Sequence, residues 1–261
     1  MANLVTDKSR LSALTDGRQN FPASNRLFRD GSVFFVGGEL PVYETLVTMF
    51  DSFCMEATAL FFLTFGPGQT YSRGEEMARQ IKKNFHARLM ACLDQGVDSA
   101  TLERVYAAGV DNLVIRLDGG SPHSELPDAL AVARSIFPRW GAAATLQLGD
   151  ESTRQCKSRI DRLLREGIVP LVRFSGRSSD ISPDDAEDVL QHLVAGWERH
   201  SVPLPAYLPL ISVMTPLETK PAGLLRGFVD RLRDRKQLAQ SDIRRHLRVQ
   251  QAENSLDSAG L

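Results

Sequence analysis

Two arginines stand where a chain seldom places a charge. Arg116 falls within the apolar run Leu113–Leu117 and Arg173 within Val169–Phe174, where an unpaired cation would be costly. Each must therefore pair or open onto a polar cavity. Asp118 is a partner within reach of Arg116, and Asp150 or Glu151 of Arg173; left open, either guanidinium would grip a carboxylate or phosphate through two parallel hydrogen bonds. Glu39, in Gly37-Gly38-Glu39-Leu40-Pro41, can accept from a ligand ammonium or hydroxyl, or it can steady a helix dipole from the first turn. Glu39 and Asp118 are the candidates for moving a proton. Gly66, Gly68, Gln69 and Thr70 form a glycine-rich stretch that would let a ligand approach main-chain amides, with a plain turn around Pro67 as the alternative. Gln147, Gly149 and Glu151 complete the set of binding candidates. Ser175 to Ser179 reads as an anion cradle or as a polar loop.

Several chemistries find no support. Cys54, Cys92 and Cys156 stand far apart, without a second cysteine or a histidine at metal-ligand spacing, and each reads as a small buried apolar residue. His86, His123, His192, His200 and His246 form no HExxH or HxH pair, and neither a GxSxG elbow nor a Walker loop occurs. No metal ligand is assigned. A formal net charge of −1 gives no general attraction to nucleic acid. The arginines between Arg231 and Arg248 are interleaved with Asp230, Asp234 and Asp242, the pattern of a solvated helix face. The longest apolar run, Ala59 to Phe65, is too short to cross a bilayer. Residues 1–30 lack the apolar stretch of a signal peptide, so a cytoplasmic location without membrane association is expected.

The elements that must position these residues follow a rhythm. Short apolar runs at Val33–Val36, Leu60–Phe65, Arg88–Leu93, Leu113–Leu117, Ala143–Leu148, Val169–Phe174 and Tyr207–Val213 read as strands. Their continuity is what a parallel strand covered on both faces requires. Between them Val42–Phe53, Gly74–Phe85, Ala100–Ala107, Pro127–Phe137, Thr153–Arg165 and Pro183–His200 carry apolar residues at helical spacing. Asp98 and Ser99 precede one helix, Ser152 and Thr153 open another, and Ser182 stands as an N-cap before Pro183, with Gly109 and Gly167 as left-handed C-caps. The expectation is an α/β fold: a TIM-like (β/α) barrel, complete or partial, with parallel strands over 33–220. It carries an N-terminal arm over 1–32, and a C-terminal helix and tail over 221–261. In such a barrel the loops after the strands converge on one mouth, which gathers the candidates above. A dinucleotide-binding sheet would need G-x-G-x-x-G after its first strand, and Gly37 to Pro41 does not supply it.

Taken in order, TFGPGQT (64–70), LERVYAAGVDNLVIRLDG (102–119) and LQLGDESTRQCKSRIDRLLREGIVPLVRF (146–174) resemble the second to sixth strands of biotin-synthase-like radical S-adenosylmethionine enzymes. The likeness covers roughly half the chain. It implies that Gly66 to Thr70 stand where that family binds the methionine amino group, and that Gly149-Asp150-Glu151 is similar to its glycine-and-acid motif. The family holds a [4Fe–4S] cluster on a CxxxCxxC loop after the first strand. Here that loop is Gly37 to Pro41, free of cysteine, and cluster iron needs closely spaced thiolates.

The resemblance thus implies a barrel that binds S-adenosylmethionine or another metabolite, or that partners a cluster-bearing enzyme, without holding an iron–sulfur cluster by itself. A rival reading is a lyase or aldolase in which Arg116 and Arg173 grip an anionic substrate while Glu39 or Asp118 moves a proton. The absence of lysine at any expected strand end counts against a Schiff base. A third is a structural subunit that docks on a cluster-bearing paralogue through the basic C-terminal helix.

Overall fold

The computed structural model describes residues 4–16, 22–55, 57–94, 96–117, 128–149, 151–174, 181–219, 238–239 and 242–248. The expected alternation is present. Strands β3 (Val33–Gly37), β4 (Leu60–Thr64), β5 (Arg88–Asp94), β6 (Asn112–Arg116), β7 (Ala142–Leu148) and β8 (Val169–Phe174) are parallel neighbours in chain order. Helices α2 (Val42–Met55), α3 (Tyr71–Asn84), α4 (Ser99–Ala107), α5 (Asp128–Ile136) and α6 (Thr153–Arg165) connect them, and α7 (Pro183–Arg199) follows β8. The sheet curls into a half-barrel flanked by these helices.

Local signals set the helix ends. Asp98 accepts from the Thr101 N–H at 2.7 Å, Ser182 from the Asp185 N–H at 3.1 Å, and Ser152 forms a reciprocal capping box with Gln155. Gly109 and Gly167 close α4 and α6 with φ of +111° and +73°.

One expected strand is a helix. Tyr207–Val213 lies in a 3₁₀ turn and α8 (Leu208–Met214). Tyr207, Leu210, Ile211 and Met214 are all buried, and their spacing of three, four and seven is helical rather than alternating. Pro209 has no N–H to give to a ladder and fits the first turn of a helix. Instead of an eighth strand closing the barrel, α8 touches both β3 and β8. Across the floor the Tyr207 hydroxyl donates to the Trp140 carbonyl at 2.7 Å and accepts from Asn112 Nδ2 at 3.1 Å.

The segment read as an arm also holds structure. β1 (Leu4–Thr6) pairs antiparallel with β9 (Leu217–Thr219), and α1 (Lys8–Asp16) starts at Asp7, whose carboxylate accepts from the N–H groups of Ser9 and Arg10. β2 (Leu27–Asp30) pairs antiparallel with β3 at the sheet edge. Residues 27–37 therefore form a hairpin that brings Ser24 beside the end of β3.

Side chains on the two sheet faces divide the labour. Phe61 packs on Phe85 at 5.0 Å, and Phe85 on Phe50 of α2 at 4.7 Å, so this face meets the helices. Each fully buried ring of this kind contributes roughly 1.5–3 kcal/mol. The opposite parity carries Asn112 toward Tyr207 and faces the concave side. Among the described residues, no helix is long and apolar enough to cross a membrane.

Candidate functional site

Strand register brings the polar residues of the sheet onto its concave face. Thr64 pairs with Cys92, Asp94 with Arg116, Arg116 with Thr145, and Gln147 with Arg173. With side chains alternating along each strand, Thr64, Cys92, Asp94, Arg116, Thr145, Gln147 and Arg173 share one face. Asp94, Arg116, Gln147 and Arg173 are at or within one residue of the strand ends. The electrostatics agree with the register: the Cys92 thiol feels Arg116, Asp94 and Arg173 together, although its burial dominates and pushes its pKa up.

Arg116 donates through Nε to Asp94 Oδ1 at 2.7 Å and through a second nitrogen to the same oxygen. Asp94 is 51% exposed and Arg116 29%, so the pair lies open at the mouth. Beside it stands Tyr71, whose pKa is raised by burial and by Asp94 and Asp98, with Arg116 opposing.

The second part of the mouth is built on Gly66. A Cβ there would lie 2.5 Å from Thr70 Oγ1 and 2.6 Å from Glu39 Cγ, so any side chain at this position would displace Thr70 and Glu39 from their present places. Glu39 is fixed on the other side by Ser24, whose hydroxyl donates to Oε2 at 2.5 Å, and Arg73 donates to its carbonyl at 2.9 Å. Thr70 caps its own turn by donating to the Pro67 carbonyl at 2.8 Å. Because Tyr71 follows Thr70 directly, the Glu39 cluster and the Asp94–Arg116 pair belong to one rim.

Other expected residues lie elsewhere. Gly68 and Gln69 sit on an exposed 3₁₀ turn, Gly68–Thr70. Gly149 has a φ of +97°, a conformation for which glycine is the default. The Glu151 carboxylate is taken by Arg159 in a nearly buried pair, with side-chain exposures of 7% and 17%. Burial lowers the Arg159 pKa. Asp118, Asp150 and residues 175–179 lie outside the described residues, as does His123. Ser212 and Thr215, in and after the segment expected to be the last strand, donate to the carbonyls of Pro209 and Ile211 in α8. Ser24, Tyr71 and Thr145 were missing from the sequence-based set. Thr145 carried a signal: it stands two residues before Gln147 in an apolar strand, on the same face.

No protein family matches the chain, and a comparison with curated proteins found no relative. The site must be read from its own chemistry.

Two groups in it are unspent. The hydroxyls of Thr64 and Thr145 are buried, at 2% and 0% residue exposure, and neither has a hydrogen-bond partner among the described residues. A buried polar group without a partner costs about 1–3 kcal/mol. Replacing Thr145 with valine, which keeps the shape, is expected to raise the unfolding free energy of the unliganded chain by about 1 kcal/mol, read from urea melts. A fall would mean that the hydroxyl is satisfied within the protein.

An iron–sulfur cluster of the family kind asks for three neighbouring thiolates. Cys92 faces the concave sheet; Cys156 is buried on α6, with a pKa pushed up to about 12. The Cys54 side chain lies outside the described residues. Among the described residues no three His, Cys, Asp or Glu side chains converge. These residues do not fit such a cluster, and no step below runs through one.

Proposed function

We propose that the concave mouth binds a small metabolite carrying both an ammonium and an anionic group, with S-adenosylmethionine as the first candidate. The chain then acts as a binder, or as the partner of a cluster-bearing enzyme. The observation that carries this reading is the pair of buried hydroxyls, Thr64 and Thr145, that have no partner among the described residues, on the face shared by Asp94, Arg116, Gln147 and Arg173. Arginine forks suit a carboxylate or phosphate. Glu39, held by Ser24 at the same rim, supplies an acceptor for an ammonium. The identity of the ligand comes from the family resemblance alone; the polarity of the site comes from its residues.

A second reading, acid–base lyase chemistry on an anionic metabolite, gains one specific observation. Tyr71, beside Asp94 and Arg116, offers a phenol O–H that can donate a hydrogen bond to an anionic substrate at the mouth. Glu39 and Asp94 are carboxylates at the same rim.

Thermal unfolding with S-adenosylmethionine, methionine, adenosine and a panel of anionic metabolites separates the two. A ligand at 100 times its Kd adds about 2.7 kcal/mol, which for a chain of this size raises Tm by roughly 5–10 °C. S-adenosylmethionine is expected to give this shift, and Arg116→Ala with Arg173→Ala to remove it. A shift confined to anionic metabolites and lost in the same variant would replace the first reading with the second.

A further inference from the structure

At the opposite end of the sheet, before the first residues of β7 and β8, lies a cavity of about 530 Å³ lined by Arg134, Arg139, Arg165, Arg244 and Glu166 among others. β7 separates it from the mouth by seven residues, about 20 Å at roughly 3.3 Å per residue. The cavity lies within the size range of small-ligand sites. Arg134 is paired with Glu166. Among the described residues no carboxylate pairs with Arg139, Arg165 or Arg244, so the lining keeps an excess of three positive charges.

Helix dipoles do not account for this excess. Arg134 and Arg165 are in the last turns of α5 and α6, where a cation offsets the negative end of a helix. Arg139 is on neither helix. It sits on the turn Pro138–Gly141, closed by the Gly141 N–H donating to the Pro138 carbonyl at 2.7 Å. Arg244 arrives from the helical residues 242–248, which dock on the body through Arg245 to Asp111 and Arg248 to Glu103. Four guanidinium groups from four separate segments thus meet at one cavity.

The turn that presents Arg139 is strained. Trp140 has a φ of +65°, a conformation that glycine normally supplies at this turn position. The surroundings hold it there: the Trp140 N–H donates to the Gly167 carbonyl at 3.3 Å, and its own carbonyl accepts from the Tyr207 hydroxyl at 2.7 Å. The result places the Arg139 guanidinium 5.2 Å from the Trp140 ring centre, at the cavity wall. Strain that the fold maintains at a charged cavity is a pointer to function.

We propose that this cavity is a second ligand site, for a phosphorylated metabolite of nucleotide size, separate from the mouth. Clustered guanidinium groups match phosphate oxygens geometrically, and the volume exceeds what a single inorganic phosphate would fill. The concave form and the volume of about 530 Å³ favour a free metabolite over a polymer.

Isothermal titration of the full chain with pyrophosphate and with ADP tests this, at low and at raised salt. Saturable one-to-one binding is expected for both probes. Arg139→Ala with Arg165→Ala should weaken it by ten-fold or more; both side chains are exposed, so the fold should persist, which circular dichroism verifies. Arg154→Ala with Arg199→Ala, which removes the same charge from exposed positions elsewhere, and Arg116→Ala at the mouth should leave binding within two-fold. Retention in the Arg116 variant separates this site from the reading of the mouth. Absence of saturable heat, an equal loss in the charge-matched control, or tighter binding of a single-stranded oligonucleotide than of ADP would overturn the proposal.

Discussion

Asp111→Ala is expected to lower the unfolding free energy by about 3–5 kcal/mol, the range for breaking a buried ion pair from one side. The Asp111 side chain is fully buried, yet it accepts from the Leu89 N–H at 2.9 Å, from Lys82 Nζ at 3.0 Å and from Arg245 at 3.3 Å. One carboxylate thereby ties the starts of β5 and β6, helix α3 and the helical residues 242–248 to each other. Its removal would take one acceptor away from each of three donors. Lys82 is 22% exposed and can turn to water; Arg245, 12% exposed and 5.1 Å from the Tyr106 ring centre, keeps the Val110 carbonyl at 3.0 Å and Asp242 at 2.7 Å. A typical domain has only about 5–15 kcal/mol in total, so the variant should be close to unfolding at ambient temperature. Urea melts should show a much lower midpoint with an unchanged slope. Asp111→Asn, which keeps one acceptor, should lose less, and a loss below about 1 kcal/mol in the alanine variant would mean that these bonds are replaceable by water.

Glu151→Ala is expected to cost about 3 kcal/mol by leaving Arg159 charged and poorly solvated. The direction of the Arg159 pKa, lowered by burial, reports the same desolvation. The reverse experiment sharpens the point. Glu151→Leu with Arg159→Met removes both charges while retaining bulk, and buried pairs replaced in this way are often neutral or stabilised. That double variant should unfold near the unmodified chain, and its response to S-adenosylmethionine should be intact, because Glu151 is engaged on α6 rather than at the rim. Loss of the ligand response with stability unchanged would instead assign Glu151 to the site.

These two carboxylates show where sequence reasoning stops. The parallel strands from Val33 to Phe174 were legible, since burial on both faces forces continuous apolar runs, and so were the caps at Asp98, Ser152 and Ser182. Tyr207–Val213 was equally apolar, and composition alone led to a strand; the spacing of Tyr207, Leu210, Ile211 and Met214 and the presence of Pro209 carried the helical answer. Residues 4–16 are too polar to announce themselves, and their order depends on β9, more than 200 residues away. At the site, Glu39, Gly66, Thr70, Arg116 and Arg173 were accessible because strand ends in such folds converge. The partners were not. Asp94 rather than Asp118 meets Arg116 among the described residues, and Arg159 rather than Arg173 meets Glu151, since pairing across strands and turns follows register and curl that no linear spacing encodes.

The claim on which the rest stands is that the concave face at the strand ends is a site for a ligand rather than an incompletely packed core. Methyl resonances of labelled threonine give the most direct test. Thr64 and Thr145 should shift on titration with S-adenosylmethionine, whereas Thr101 and Thr215, buried but bonded to Arg104 and Ile211, should remain in place. Shifts in those controls with Thr64 and Thr145 unmoved, or no movement of any of the four at saturating ligand, would contradict the account.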